Sequence, residues 1–266
     1  MKFKTDFFRP YLNKAPLPLA IERNFECEIL SRQVFTHPIL DIGCGEGLFA
    51  NILFDEKIDV GIDPNTKELE RAAYYGQYEK LINCFGNKID FQDAHFETIF
   101  SNSVLEHIPD IEAVLRETHR LIADDGNIYF TVPTNYFDKY SIIYQFLSTL
   151  KFNKLAERYR LFFNGFWKHY HYHSVEKWIE LFEKNDFRVM DYKEYGSRKI
   201  CVLNDLLAPF CLLSFISKKI ANRWYISSYS RKISAAIFYF LFRKINFYKN
   251  TKTGGIVFFS LRKAKL

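Results

Sequence analysis

The chain has little cysteine and no arrangement of it that would staple a fold. Five cysteines are scattered through 266 residues without a Cys-x-x-Cys pair, and an odd, unpaired set fits a reducing compartment rather than a disulfide framework. No apolar run approaches the ~20 residues of a membrane-spanning helix. The opening residues Met1-Lys2-Phe3-Lys4-Thr5-Asp6 lack the apolar core of a secretory signal, so the expected location is the cytoplasm. Internal repeats and low-complexity linkers are missing too. Acid is nearly absent from the last quarter: from Ser197 onward there are 14 Lys+Arg and one acid, Asp205.

The 48% hydrophobic content is ample for a core, and the length suits one domain with additions, or one large and one small unit. The net charge of +6 hides an asymmetry. Residues 1–140 carry 14 Lys+Arg against 23 Asp+Glu, and residues 141–266 carry 23 against 8. The second half therefore favours an anionic partner or surface. No nucleic-acid-binding module accompanies the basic charge, so nucleic acid is not an expected partner.

The most informative stretch is His37-Pro38-Ile39-Leu40-Asp41-Ile42-Gly43-Cys44-Gly45-Glu46-Gly47. A short apolar run ends in an acid and three alternating glycines, and the segment Leu48 to Phe54 that follows reads as helix. Strand, glycine turn and helix make the usual nucleotide site of an open α/β sheet. The dinucleotide fingerprint needs glycines at relative positions 1, 3 and 6. Here the third glycine is one position early and Leu48 takes the sixth place, which argues against NAD or FAD. No Gly-Lys-Ser/Thr ending is present, which argues against a P-loop. Ile58 to Asp63 reads as the next strand, ending in an acid that can accept both ribose hydroxyls.

These two segments, with Phe96 to Ile108, Leu115-Arg116-Glu117 and Ile122 to Pro133 after them, resemble class I S-adenosylmethionine (SAM) methyltransferases. The resemblance covers roughly residues 18 to 135, and its four motifs stand in the family's order and intervals. It implies SAM as cofactor. It also implies cofactor contacts at Asp41, Gly43, Cys44, Gly45 and Gly47, at Asp63 and Pro64, and at Asn102 and Ser103. One position departs from the family. Where an Asp-Ala pair would serve the adenine amine, this chain has Phe85-Gly86. Phe85 cannot accept that hydrogen bond but can pack on the ring.

The expected fold is α/β: a Rossmann-like doubly wound sheet, mostly parallel with an antiparallel last strand, plus helical insertions. Residues 1–18 read as irregular, 19–32 as a helix, and 64–79 as the helix after the second strand, with Asn65 and Thr66 as capping candidates. Short strands are expected at 80–84 and 98–102, a helix at 111–121, a turn at Gly126 and a strand at 128–132. Ser174 caps a helix at 175–185; strands follow at 187–195 and 254–261. The organisation read from this is a SAM-binding core (1–135), an aromatic substrate-side insertion (136–173), a core helix and strand (174–196), a basic apolar helical insertion (197–250) and a final core strand (251–266).

The resemblance places Glu106-His107 beside the transferred methyl. His107, with an unperturbed pKa of ~6.5, suits a general base for a hydroxyl acceptor, and equally a packing or loop-orienting role. Too few further ligands are evident for a metal, and none is expected. His169, His171 and His173 alternate with Tyr170 and Tyr172; His169, His171 and Tyr172 are candidates for the substrate side, against plain packing. On an extended strand the outer two histidines would stand ~13 Å apart, too far for one ion.

Residues 203–216 and 233–242 are apolar helical stretches flanked by Lys218, Lys219, Arg223, Arg231, Lys232, Arg243 and Lys244. They read either as a cap or oligomer face, or as a peripheral membrane patch for an anionic surface, with Phe210, Phe215, Trp224, Phe238, Tyr239, Phe240 and Phe242 as its aromatics. The function that follows is methyl transfer from SAM to a small or lipid-linked acceptor, by O-methylation of a surface-glycan precursor sugar or an isoprenoid quinone. The competing reading is a non-catalytic, membrane-associated scaffold on the same fold.

Overall fold

Short β-branched and aromatic runs, buried in the central strands and partly exposed at the two edges, assemble into a single sheet in the computed structural model, which describes residues 1–221, 224, 227–242 and 251–264. The strands are β1 (Ile39–Ile42), β2 (Ile58–Ile62), β3 (Tyr78–Ile82), β4 (Phe96–Asn102), β5 (Ile122–Pro133), β6 (Phe187–Tyr195) and β7 (Ile256–Lys263). Their order is β3-β2-β1-β4-β5-β7-β6. The first five pair in parallel, and β7 runs antiparallel to both β5 and β6. This is the doubly wound, Rossmann-like α/β sheet with an antiparallel last strand that the sequence leads one to expect. Strand order reverses between β1 and β4, the switch point where such sheets leave a crevice at the carboxyl ends of their strands.

Helices cover both faces. On one side lie α1 (Phe8–Lys14), α2 (Leu17–Leu30), α3 (Leu48–Leu53) and α4 (Thr66–Tyr75), packed around Tyr11, Leu12, Ile21, Phe54 and Phe100. On the other lie α5 (Ile111–Leu121) and α8 (Val175–Lys184), packed around Val114, Leu115, Phe130, Trp178 and Phe182. Local chemistry sets their ends. Asn65, Asp110 and Ser174 each accept a backbone N–H of the first turn, from Lys67, Ala113 and Lys177. Trp178 is fully buried and donates its Nε1–H to the Pro133 carbonyl at 2.9 Å, tying α8 to the end of β5.

Several expectations need correction. Residues 1–18 are not irregular: α1 forms with Pro10 in its first turn, where the missing N–H costs nothing, and α2 begins two residues before the expected start. Gly126 does not precede β5 but lies within it. Residues 123–126 bulge out of register between the pairs Phe96–Ile122 and Thr98–Asn127. The aromatic insertion, to which the sequence assigns no elements, forms α6 (Ile142–Thr149) and α7 (Asn153–Trp167). The basic insertion has three helices, α9 (Arg198–Leu207), α10 (Leu212–Ala221) and α11 (Ser228–Phe242), rather than two. Of its aromatics, Trp224, Phe238, Tyr239 and Phe242 pack against the core, whereas Phe210 and Phe240 are exposed. Arg223, Arg243 and Lys244, and the side chains of Phe215 and Lys219, lie outside the described residues. Among the described residues no helix is long and apolar enough to cross a membrane.

Candidate functional site

β1 delivers the chain into the glycine loop at the switch point. Gly43 sits at φ 77°, and a Cβ there would lie 2.5 Å from Val104 Cγ1, so only glycine lets β1 turn this close to the segment after β4. At Gly45, φ 52°, an added Cβ would meet nothing within 4 Å: the loop's outer side is open. The loop is laced to the end of β2. The Gly43 and Cys44 amides both donate to the Ile62 carbonyl at 2.9 Å. Asp63 accepts the Gly45 amide at 3.0 Å and the Asn65 amide at 2.8 Å. Pro64 beside it is exposed. Asp41 is buried below the loop, where the Tyr78 hydroxyl donates to it at 2.7 Å. Burial pushes its pKa up to about 7 against that hydrogen bond. Burial also raises the Cys44 thiol far above its ordinary range, which leaves it inert as a nucleophile.

Gly86 falls beside the loop, since a Cβ there would touch Ile42 and Val114. Phe85 is 70% exposed; its ring stands in solvent.

At the end of β4, Asn102 and Ser103 turn their side chains to Glu26 of α2. Glu26 is fully buried. It accepts from Arg23 at 2.5 Å, Asn102 at 2.7 Å, Ser103 at 3.1 Å and the Tyr195 hydroxyl at 3.3 Å. Ser103 is held at φ 53°. This network was missed in the sequence. Its signal was an acid, Glu26, directly after Phe25 on a helix whose apolar positions face the core.

The 3-10 turn Leu105–His107 follows. Glu106 is 3% exposed, and burial pushes its pKa up to about 8. His107 projects outward; burial lowers its pKa against a hydrogen bond from Nδ1 to the Lys168 carbonyl at 3.2 Å. The end of the aromatic insertion is clamped to this turn. The Tyr170 and His171 amides donate to the Glu106 carbonyl at 2.7 and 3.3 Å. The three alternating histidines do not share one face. His169 lies against His107, ring centroids 5.1 Å apart, and burial lowers its pKa to about 4. His171 donates through Nε2 to the Ile108 carbonyl at 2.9 Å and, with His173, packs on Trp178. Tyr172 between them is half-buried. The expectation that Glu106 and His107 lack a third donor is corrected, because the insertion folds back and brings His169 to them.

A second unforeseen contact reaches the glycine loop itself. Glu46 pairs with Lys218 of α10 and accepts the Trp224 indole N–H at 3.1 Å, so the basic insertion is tied to the loop at Glu46, while the Gly45 side stays open.

The family model for the methyltransferase domain matches residues 8–192. An uncharacterized protein of Mycobacterium tuberculosis, Rv2003c, is 34% identical over 36% of this chain and 32% of its own length. The chain thus spans about a third of that relative. The ubiquinone biosynthesis O-methyltransferase of Pelagibacter ubique is 26% identical over 46% of this chain and 55% of its own. Among solved structures, a SAM-dependent methyltransferase of Thermotoga maritima superposes with a TM-score of 0.56 at 14% identity, covering 93% of this chain and 91% of that one.

Proposed function

The chain belongs to the methyltransferase-domain family, and on that premise we propose that it transfers the methyl group of SAM to a small or lipid-linked hydroxyl acceptor. The observation that carries this is the open glycine loop at the switch point, with Asp63 holding the Gly45 amide. In this reading SAM lies along Gly43 to Gly47, with Cys44 contributing backbone only. Asp63 accepts the ribose hydroxyls beside Pro64, and the adenine lies toward Phe85 and Gly86. Asn102 and Ser103 form the floor near the methyl.

A sulfonium is already activated, so the protein's part is chiefly to hold the acceptor in line; orientation of this kind is worth about 7–11 kcal/mol. His107 stands at the carboxyl edge with its Nε2 3.7 Å from Glu106 Oε1, its side chain 41% exposed and its pKa lowered by burial. It is neutral near pH 7 and suited to take the acceptor's proton, a step worth about 10²–10⁴-fold. His169 and Tyr172 line the acceptor side; His171 holds the insertion against the turn. The relative named as a ubiquinone O-methyltransferase favours an isoprenoid quinone, with a glycan-precursor sugar the other hydroxyl acceptor of this kind. Label from tritiated-methyl SAM is expected in the lipid fraction of a cell extract, on oxygen. Label confined to the polar fraction would refute the lipid-linked acceptor.

A lipid-linked acceptor needs the enzyme at a surface. Residues 198–242 present Phe210, Leu212, Ile220, Ile237, Phe240 and Leu241 to solvent, in a span of seven basic residues and one acid. Each basic residue near an anionic surface adds about 1 kcal/mol, screened by salt. Co-sedimentation should therefore be strong with anionic vesicles, weak with neutral ones and reduced by salt. Equal, negligible sedimentation on both at low salt would leave these helices as a cap or oligomer face.

A further inference from the structure

Glu106, His107 and His169 bring one carboxylate and two imidazoles to within 4.8 Å of one another, and we propose that they form a binding site for a divalent transition-metal ion. Three independent features of the geometry support it. The first is an uncompensated carboxylate. Glu106 is 3% exposed, its Oε2 is buried with no hydrogen-bond partner among the described residues, and its Oε1 lies 3.7 Å from His107 Nε2. A carboxyl group buried in this way stays protonated unless a cation meets it and replaces the proton.

The second is the orientation of both rings. His107 Nδ1 faces the Lys168 carbonyl at 3.2 Å, and His169 Nδ1 faces Asn164 Oδ1 at 3.3 Å. An oxygen opposite Nδ1 fixes the proton there and leaves the Nε2 lone pair for a ligand, the arrangement that supports metal-bound histidine. Asn164 is itself fixed. It is 3% exposed, and its amide donates to Asp138 at 2.6 Å and to the Arg160 carbonyl at 3.0 Å, so its Oδ1 is the atom turned to His169.

The third is the backbone clamp. The Tyr170 and His171 amides on the Glu106 carbonyl, and the His169 amide on the Asn164 carbonyl at 2.8 Å, lock the two segments that carry the ligands. Tetrahedral donors at ~2.0–2.1 Å from an ion stand about 3.4 Å apart, so a bound ion would draw the three donors closer than their present spacing of up to 4.8 Å.

Two imidazoles and one carboxylate suit zinc or a neighbouring transition metal rather than magnesium or calcium, which prefer oxygen throughout. Three protein ligands leave a position open, and His107, its side chain 41% exposed, places that position toward solvent. If the hydroxyl acceptor proposed above is right, its oxygen would bind at that position; with an ion held, His107 Nε2 would be a ligand rather than the proton acceptor, and the metal would replace that general-base role by lowering the pKa of the bound hydroxyl.

The test needs no methyl donor, so it stands or falls separately from that reading. The full chain, stripped with chelator, is titrated with Co²⁺ while visible absorption is recorded, and with Zn²⁺ by calorimetry. The proposal expects one saturable site with a ligand-field spectrum, a raised Tm with Zn²⁺, and affinity weakened at least tenfold in His169→Ala, Glu106→Gln and His107→Ala. His107→Ala, at an exposed side chain, guards against loss of the fold. His173→Ala should bind as the wild type does. Absence of a Co²⁺ spectrum in the wild type, wild-type affinity in His107→Ala, or equal weakening by His173→Ala would each overturn the assignment.

Discussion

Replacing Glu26 by alanine is expected to lower the free energy of unfolding by about 3 kcal/mol, the lower end of the cost of breaking a buried ion pair, since Arg23 keeps Glu22 and Ser103 as neighbours. Glu26 has no exposed surface and collects donors from Arg23, Asn102, Ser103 and Tyr195. Those residues come from α2, the end of β4, the residue after it and the end of β6. Removing the carboxylate leaves the Arg23 guanidinium, 20% exposed, with Ser103 Oγ at 2.9 Å and Glu22 at 3.9 Å, and leaves Asn102, Ser103 and Tyr195 to find new partners. Glu26→Gln keeps an acceptor for part of the set and should lose less. Urea denaturation of the two variants checks this. A loss below about 1 kcal/mol for Glu26→Ala, the value of a solvent-exposed pair, would mean that the carboxylate is hydrated and does not organise the β4 edge.

The second large effect is on ligand binding. Asp63→Ala is expected to weaken SAM by about 1–3 kcal/mol, some 5- to 150-fold, because ribose hydroxyls would face no charged acceptor. Two losses combine here, since the same carboxylate also holds the Gly45 and Asn65 amides at 3.0 and 2.8 Å and so sets the path of the loop. Calorimetry of the variant showing unchanged SAM affinity would remove Asp63 from the site.

The two contributions differ in how openly the sequence declares them. The glycine loop and Asp63 are contiguous motifs, and their meaning survives without tertiary knowledge. α5 and β6 are likewise legible to the residue, because α5 has an apolar stripe behind a capping Asp110 and β6 is bounded by Asp186 and Gly196. β3 was harder: its outer residues Glu79 and Lys80 are exposed, so hydropathy places the strand two residues late. What was not legible depends on distant chain returning to one place. Glu26 reads as a surface acid of an amphipathic helix until Asn102 and Tyr195 are placed against it. His169 reads as one of three alternating histidines until α7 turns the chain and the clamp on the Glu106 carbonyl separates it from His171. Glu46 looks like a loop charge, yet it is the contact that ties α10 and Trp224 to the glycine loop. The inward turn of Trp224, Phe238, Tyr239 and Phe242 was hidden for the same reason: aromatic composition does not say which face of a helix finds a neighbour.

The central claim is that the open glycine loop is a SAM site, and calorimetric titration of the wild-type chain with SAM tests it most directly. The account predicts saturable one-to-one binding, competed by the demethylated product and not by NAD. A chain that is folded by its urea transition yet gives no heat and no competition with either SAM or its product would contradict it.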